Sequence, residues 1–351
     1  MTEKTEIKSL NYQEVQELLI QMGEKAFRGK QIYQWMHQKL ADSFEDMNNI
    51  PKALRQKLEE QCSFTCLEPV EVLTSQIDGT QKYLFRLSDG HVIESVLMKY
   101  QHGNSVCIST QVGCRMGCRF CASTIGGRTR DLTPAEMLEQ VYRIQKLSGE
   151  RVSNLVMMGT GEPLDNYDNV LRFIHLLTDE HGLNISQRNI TLSTCGLVPR
   201  MRQLAEEDLA ITLALSLHAS SQETREELLP IAKKYEIHEV VEACRYYYKK
   251  TGRRITFEYS LVGGKNDTQQ DAEKLAALIN GLNCHVNLIP VNPIKERDFV
   301  QSNKKVIGDF KNKLEKCGIN VTIRREMGRD INGACGQLRK SYMDKEKGVG
   351  A

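Results

Sequence analysis

Hydrophobic positions recur at helical spacing from the start of the chain, with Val15, Leu18, Leu19 and Met22 on one face. Asn11 and Glu14 form a capping-box pattern ahead of them and Gly23 suits the end, so a helix is predicted there. A second helix carries Ile32, Trp35, Met36 and Leu40 on one side, and a third begins at Pro51. Between residues 70 and 100 the texture changes to alternating runs broken by Asp78-Gly79 and Asp89-Gly90, the turn dipeptides of β-hairpins. From residue 105 strands and helices take turns, with strands predicted at 106–110, 154–158, 189–193, 211–217, 255–261, 285–289 and 319–323. The clearest helix start is Thr133-Pro134-Ala135-Glu136, with an N-cap, a proline at the first helical position and a capping-box glutamate. Such alternation predicts an α/β fold with a parallel sheet, doubly wound or curled into a full or partial barrel. The expected organisation is a helical domain over 1–68, a β-hairpin connector over 69–104, a core over 105–340 and a flexible tail over 341–351.

Composition narrows the function classes. The 47 Lys and Arg nearly balance 45 Asp and Glu, leaving +2, so no global field draws the protein to a polyanion and any nucleic-acid contact must use local patches. The longest apolar run, 209–217, is about half of what a bilayer span needs, which predicts no membrane helix. The N-terminus has no apolar segment behind basic residues, so a cytoplasmic location is expected. In a reducing compartment the 11 cysteines read as metal ligands or catalytic thiols rather than disulfides.

Polar motifs follow the predicted strands. Gly159-Thr160-Gly161-Glu162-Pro163, Ser193-Thr194-Cys195-Gly196, Ser216-Leu217-His218 and Pro290-Val291-Asn292 all fall at strand C-terminal ends, where parallel α/β folds build sites. After the first core strand comes Cys114-x3-Cys118-x2-Cys121. Three thiolates from one loop can hold three irons of a [4Fe–4S] cluster and leave the fourth open, whereas zinc would want a fourth protein ligand.

The cysteine spacing, with Phe120 before the last cysteine, resembles the radical S-adenosylmethionine superfamily, and Gly161-Glu162-Pro163 resembles its GGEP element. Val106 to Gln111, Ser216-Leu217-His218-Ala219, Asn287 to Asn292 and Asp330 to Leu338 together resemble the radical S-adenosylmethionine adenine-C2 methyltransferases of 23S ribosomal RNA and tRNA. The likeness runs to about Arg339. It implies a partial (β/α)6-type barrel with an N-terminal helical accessory domain that grips RNA, through Lys25, Arg28 and Lys30 among others, and a small antiparallel β extension. It implies one [4Fe–4S] cluster on Cys114, Cys118 and Cys121, and two molecules of S-adenosylmethionine per turnover. Gly161, Glu162, Ser193, Ser216, Leu217, His218 and Asn292 match positions that bind S-adenosylmethionine.

The resemblance also implies roles for two further cysteines. Cys335 takes a methyl group by displacement, a task for a thiolate. After a deoxyadenosyl radical has activated that group and it has joined the electron-poor C2 of adenine, Cys107 attacks the Cys335 sulfur, forming a disulfide as the product departs. Glu94, on the strand over 92–98, matches the acceptor of the C2 proton. Read from the residues alone, Cys107 would be a buried hydrophobe and Glu94 a solvated strand residue. The remaining cysteines, Cys195 among them, read as structural.

Arg115, Arg119, Arg128 and Arg130 around the cysteine loop, and Arg324, Arg325, Arg329 and Arg339 around Cys335, are expected to hold phosphates of an RNA whose target base is flipped out. Family resemblance further implies a flavodoxin-type reductant and a monomer. Two alternatives stay open on sequence: the sister class that methylates C8 of the same ribosomal adenine and confers antibiotic resistance, and a non-catalytic zinc RNA-binding protein.

Overall fold

A computed structural model describes residues 4–101, 103–292 and 298–333. The N-terminal segment contains α1 (Tyr12–Gln21), α2 (Phe27–His37) and α3 (Lys52–Gln61), and pairs β1 (Thr5–Glu6) in parallel with β2 (Cys62–Ser63). Asn11 and Glu14 close the capping box of α1 as expected. The second helix is shorter than its apolar pattern, because Leu40 sits three residues beyond His37 at φ +55°, where no helix continues. Its side chain is still buried, so the hydrophobic face outlasts the helix.

The hairpins follow as β3 (Glu68–Thr74), β4 (Gln81–Arg86) and β5 (Val92–Tyr100), all antiparallel, and β5 pairs antiparallel with β6 (Gly103–Cys107). A separate small hairpin, β7 (Gln111–Gly113) with β8 (Arg128–Asp131), brackets the cysteine loop. The remaining chain runs α4 (Pro134–Ser148), β9 (Val152–Met157), α5 (Tyr167–Thr178), β10 (Ile190–Thr194), α6 (Val198–Leu204), β11 (Thr212–Ser216), α7 (Gln222–Leu228), α8 (Ile237–Thr251), β12 (Ile255–Leu261), α9 (Gln269–Leu278), β13 (Cys284–Pro290), α10 (Lys304–Lys316) and β14 (Asn320–Ile323).

One sheet of ten strands holds the core, in the order β14-β13-β12-β11-β10-β9-β6-β5-β4-β3. From β6 to β14 the strands are parallel and follow chain order without reversal. A doubly wound sheet would reverse at a switch point, so this is the curled, barrel-type solution. Its strands bury both faces: β11 centres on the apolar run 213–215, while β12 alternates Ile255, Phe257, Tyr259 and Leu261 with Thr256, Glu258 and Ser260, all but Thr256 buried. The antiparallel strands are not a free-standing connector; they extend the same sheet beyond β6.

Two sets of contacts complete the frame. The N-terminal segment docks on α4 through a buried ion pair between Lys8, ahead of α1, and Glu139, 2.5 Å, and a hydrogen bond between His37 Nδ1 and the Tyr142 hydroxyl, 2.8 Å. After β14 the chain crosses to the opposite end of the sheet. There the Gly328 N–H donates to Asp78 Oδ2 at 3.0 Å, and Asp330 accepts from Ser75 Oγ at 2.6 Å and from the Gln76 N–H at 2.9 Å. The segment leading to Cys335 is thus tied to the β3–β4 turn.

Candidate active site

The expected convergence of strand ends is present. Cys114, Cys118 and Cys121 line one cavity together with Gly161, Glu162, Ser193, Ser216, His218 and Asn292, about 1040 Å³ of empty space with its open mouth included. Gly117, at φ +73°, lets the loop reverse between the first two cysteines. Gly161 is excluded from carrying a side chain, since a Cβ would stand 2.7 Å from Thr110 Oγ1 and 2.8 Å from Gln111. That close approach presses the Gly-Glu-Pro turn onto β7, and Gln111 Oε1 accepts the Glu162 N–H at 2.9 Å.

Glu162 is buried, and its carboxylate accepts the N–H of Leu164 at 3.0 Å and of Cys195 at 2.8 Å. Burial pushes its pKa up against these hydrogen bonds. Ser193 Oγ and Ser216 Oγ lie 3.3 Å apart on neighbouring strand ends. His218 sits at φ +55° with Nδ1 accepting the Ser260 N–H at 2.9 Å, so the neutral ring carries its proton on Nε2. Burial first, and then Arg225, lower its pKa to about 3, which keeps it neutral. Leu217 differs from its neighbours: its side chain packs in the core and its N–H bonds the Glu258 carbonyl at 3.1 Å.

Burial pushes the Cys114 thiol up to about 12 and the Cys118 thiol well above its ordinary range, each raised further by neighbouring thiols. Such a group of crowded thiols becomes a group of thiolates only when a cation is supplied, which fits a metal cluster. Among the described residues no three His, Cys, Asp or Glu side chains gather closely enough for one metal ion. Ligands of a single zinc share one centre at about 2.0–2.3 Å, whereas cluster ligands each take a different iron, so the donor set fits the cluster better.

Cys107 closes β6 and lines a second cavity with Val96, Met98, Arg325, Met327 and Gly333. Ile289, Asn292 and Arg324 belong to the walls of both cavities. Cys335 and Arg339 lie outside the described residues; Gly333 lines the cavity of Cys107. Glu94 is on the same face of the sheet as Cys107, because Val96, two residues along β5, pairs with Cys107. It is not the solvated residue that its sequence context suggests: it is buried, with Lys82 Nζ 3.7 Å away, and Lys82 also donates to the Asn332 carbonyl at 3.4 Å.

The arginines need correction. Arg130 is bound bidentately by Glu136 and also by Asp89, Arg128 by Asp131 at 2.7 Å, and Arg115 by Asp165 at 2.5 Å. These ion pairs brace the cysteine hairpin. Arg119, Arg325 and Arg329 are exposed, as are Lys25, between α1 and α2, and Lys30 on α2.

Sequence reasoning missed three residues. Cys195, read as structural, lines the cluster cavity beside Glu162. Glu258, on the polar face of β12 with Thr256 and Ser260, lines it too and accepts from Asn287 at 2.9 Å; a buried acidic residue was the available signal. Arg225 is wholly buried under the loop.

Comparison with known proteins agrees with this geometry. Residues 108–279 match the Radical SAM superfamily, and residues 5–64 match the Ribosomal RNA large subunit methyltransferase N-terminal domain. The chain is 65% identical to the probable dual-specificity RNA methyltransferase RlmN of Lachnospira eligens, over 97% of each chain. It is 63% identical to the protein of that name from Lachnoclostridium phytofermentans, over 98% of this chain and 97% of the relative. The crystal structure of a radical SAM methyltransferase from Sphaerobacter thermophilus superposes with a TM-score of 0.92 at 43% identity, covering 95% of this chain and 99% of that one. The cluster cavity, the fold around it and these likenesses agree: the chain belongs to the RlmN family of radical SAM RNA methyltransferases.

Proposed function

We propose that the protein methylates C2 of an adenine in the peptidyl-transferase region of 23S ribosomal RNA and of the adenine 3′ to the anticodon in tRNA, with Cys335 as the methyl carrier. The observation that carries this reading is the cavity shared by Cys107 and Gly333, which borders the cluster cavity through Ile289, Asn292 and Arg324. A methyl carrier must reach both S-adenosylmethionine and a second thiol, and Gly333, two residues before Cys335, lines the cavity of the second thiol. Ribosomal RNA and tRNA as substrates accord with the dual-specificity name of the relatives, which does not favour the C8 alternative.

Cys114, Cys118 and Cys121 hold the cluster, which when bound supplies the electron that cleaves S-adenosylmethionine. Glu162, Ser193, Ser216, His218 and Asn292 hold the methionine and ribose parts. The Cys335 thiolate accepts a methyl group from one S-adenosylmethionine; a second is consumed to activate that group. Glu94 takes the C2 proton, with Lys82 Nζ 3.7 Å from its buried carboxylate. Cys107 then attacks the Cys335 sulfur, breaking its bond to the carbon now joined to C2 so that the methylated base departs, and the disulfide so formed must be reduced before the next turnover. A flavodoxin-type protein donates the electron, and the enzyme works as a cytoplasmic monomer. Among the described residues no helix is long and apolar enough to cross a membrane.

Cys107→Ala tests the reading. Given RNA, S-adenosylmethionine and reductant without oxygen, this variant should accumulate a protein–RNA species that survives denaturing electrophoresis. Release of free methylated RNA at the parent rate would overturn the role of Cys107.

A further inference from the structure

Arg225, on α7, has no exposed surface. One guanidinium nitrogen donates to the Cys195 carbonyl at 2.7 Å and another to the Tyr235 carbonyl at 3.4 Å, while Nε has no hydrogen-bond partner. Among the described residues it forms no ion pair with a carboxylate, and burial disfavours its charged form. Two carbonyl dipoles do not balance a full charge. A buried guanidinium left this way costs several kcal/mol, so a fold that keeps one is expected to bring an anion beside it.

The packing shows where that anion would be. The Arg119 N–H, in the cysteine loop, donates to the Leu228 carbonyl at 3.0 Å, and Leu228 and Leu229 share an apolar cluster with Met116, Cys118 and Cys195. The helix carrying Arg225 therefore lies directly against the loop that would hold the cluster. Three thiolates outweigh the positive charge of a [4Fe–4S] core, so the bound group is an anion, and one-electron reduction makes it more anionic.

We propose that Arg225 is the buried counter-ion of the iron–sulfur cluster, stabilising the bound cluster and, more strongly, its reduced form. It is a positioning residue: it acts through charge, without touching RNA or S-adenosylmethionine. The inference rests on the cluster reading above.

The experiment uses anaerobically reconstituted full-length protein and the variants Arg225→Gln, which keeps hydrogen-bond donors without charge, and Arg225→Lys, which keeps the charge. Iron and sulfide content are measured first, then the reduced fraction by electron paramagnetic resonance in a dithionite titration at fixed potentials. In Arg225→Gln the ratio of reduced to oxidised cluster should fall about tenfold at a given potential, equivalent to about 59 mV for a one-electron couple, while Arg225→Lys stays near the parent. In cluster-free protein Arg225→Gln should unfold no earlier than the parent, since an unbalanced charge is gone. A full cluster at the parent potential in Arg225→Gln would overturn the proposal. If Arg225→Gln fails to fold, an unchanged titration in Arg225→Met would do the same. Absence of iron and sulfide from the parent itself would instead remove the cluster reading.

Discussion

Glu162 Oε2 accepts the backbone N–H of Cys195 at 2.8 Å, while Oε1 accepts that of Leu164 at 3.0 Å. One buried carboxylate thereby pins the turn after β9 to the end of β10 and fixes two walls of the cluster cavity. Glu162→Ala would strand both N–H groups, at about 1–3 kcal/mol each. A fall of several degrees in unfolding temperature is expected, along with lost S-adenosylmethionine binding in an anaerobic dialysis assay. An unchanged unfolding temperature would show that the turn is held by something else.

Arg130 and Arg119 lie close in sequence and should behave differently. Arg130 is bound by Glu136, the capping-box residue of α4, and by Asp89. Reversing its charge sets it against two carboxylates, so Arg130→Glu should lower thermal stability and cluster retention. Arg119→Glu and Arg325→Glu alter exposed side chains. They should leave stability alone, weaken RNA binding, and lower the salt slope by about 0.9 for each phosphate that is no longer neutralised. Equal slopes in these variants and the parent would remove both residues from the RNA surface.

Lys82 and Glu94 form a buried pair at 3.7 Å. Breaking such a pair from one side costs about 3–5 kcal/mol, because the remaining charge is stranded. Denaturant unfolding should show Lys82→Met strongly destabilised and the double variant Lys82→Met/Glu94→Gln largely restored. Additive losses would mean that the two side chains do not communicate.

Acid should loosen the docking of the N-terminal domain. Burial, with a smaller push from Lys8, lowers the His37 pKa from 6.5 to about 3. Below pH 6.5 the unfolded chain therefore takes up a proton that the folded ring refuses, and stability falls as pH drops toward 3. This ring alone contributes about 1.4 kcal/mol per pH unit within that window. His37→Gln should flatten the profile by that amount; an identical slope would place the acid sensitivity elsewhere.

Much of this was legible in the sequence, and the reasons are local. Thr133-Pro134-Ala135-Glu136 carries its own helix start, and the start of α4 follows it. The four polar motifs met in one cavity because parallel strands present their C-terminal ends to the same side. Arg225 was illegible, since Gln222-Glu223-Thr224-Arg225-Glu226-Glu227 reads as a solvated helix and only the packing of α7 against the cysteine loop buries one of its charges. Arg128 and Arg130 misled for the reverse reason: as basic residues beside a site they suggest phosphate, and although Asp131 and Glu136 stand close in sequence, their partners Asp89 and Asp165 come from separate segments. Glu94 looked ordinary because its buried partner Lys82 comes from the neighbouring strand β4, and Lys82 is held by Asn332, about 250 residues later.

The central claim, adenine C2 methylation through Cys335, is tested most directly by nucleoside mass spectrometry. Iron-reconstituted protein would be incubated anaerobically with S-adenosylmethionine, reductant and unmodified 23S ribosomal RNA fragment or tRNA, and the digested RNA compared with C2- and C8-methyladenosine standards. The account predicts C2-methyladenosine with the parent protein and none with Cys335→Ala. C8-methyladenosine, or C2-methyladenosine that persists in Cys335→Ala, would contradict it.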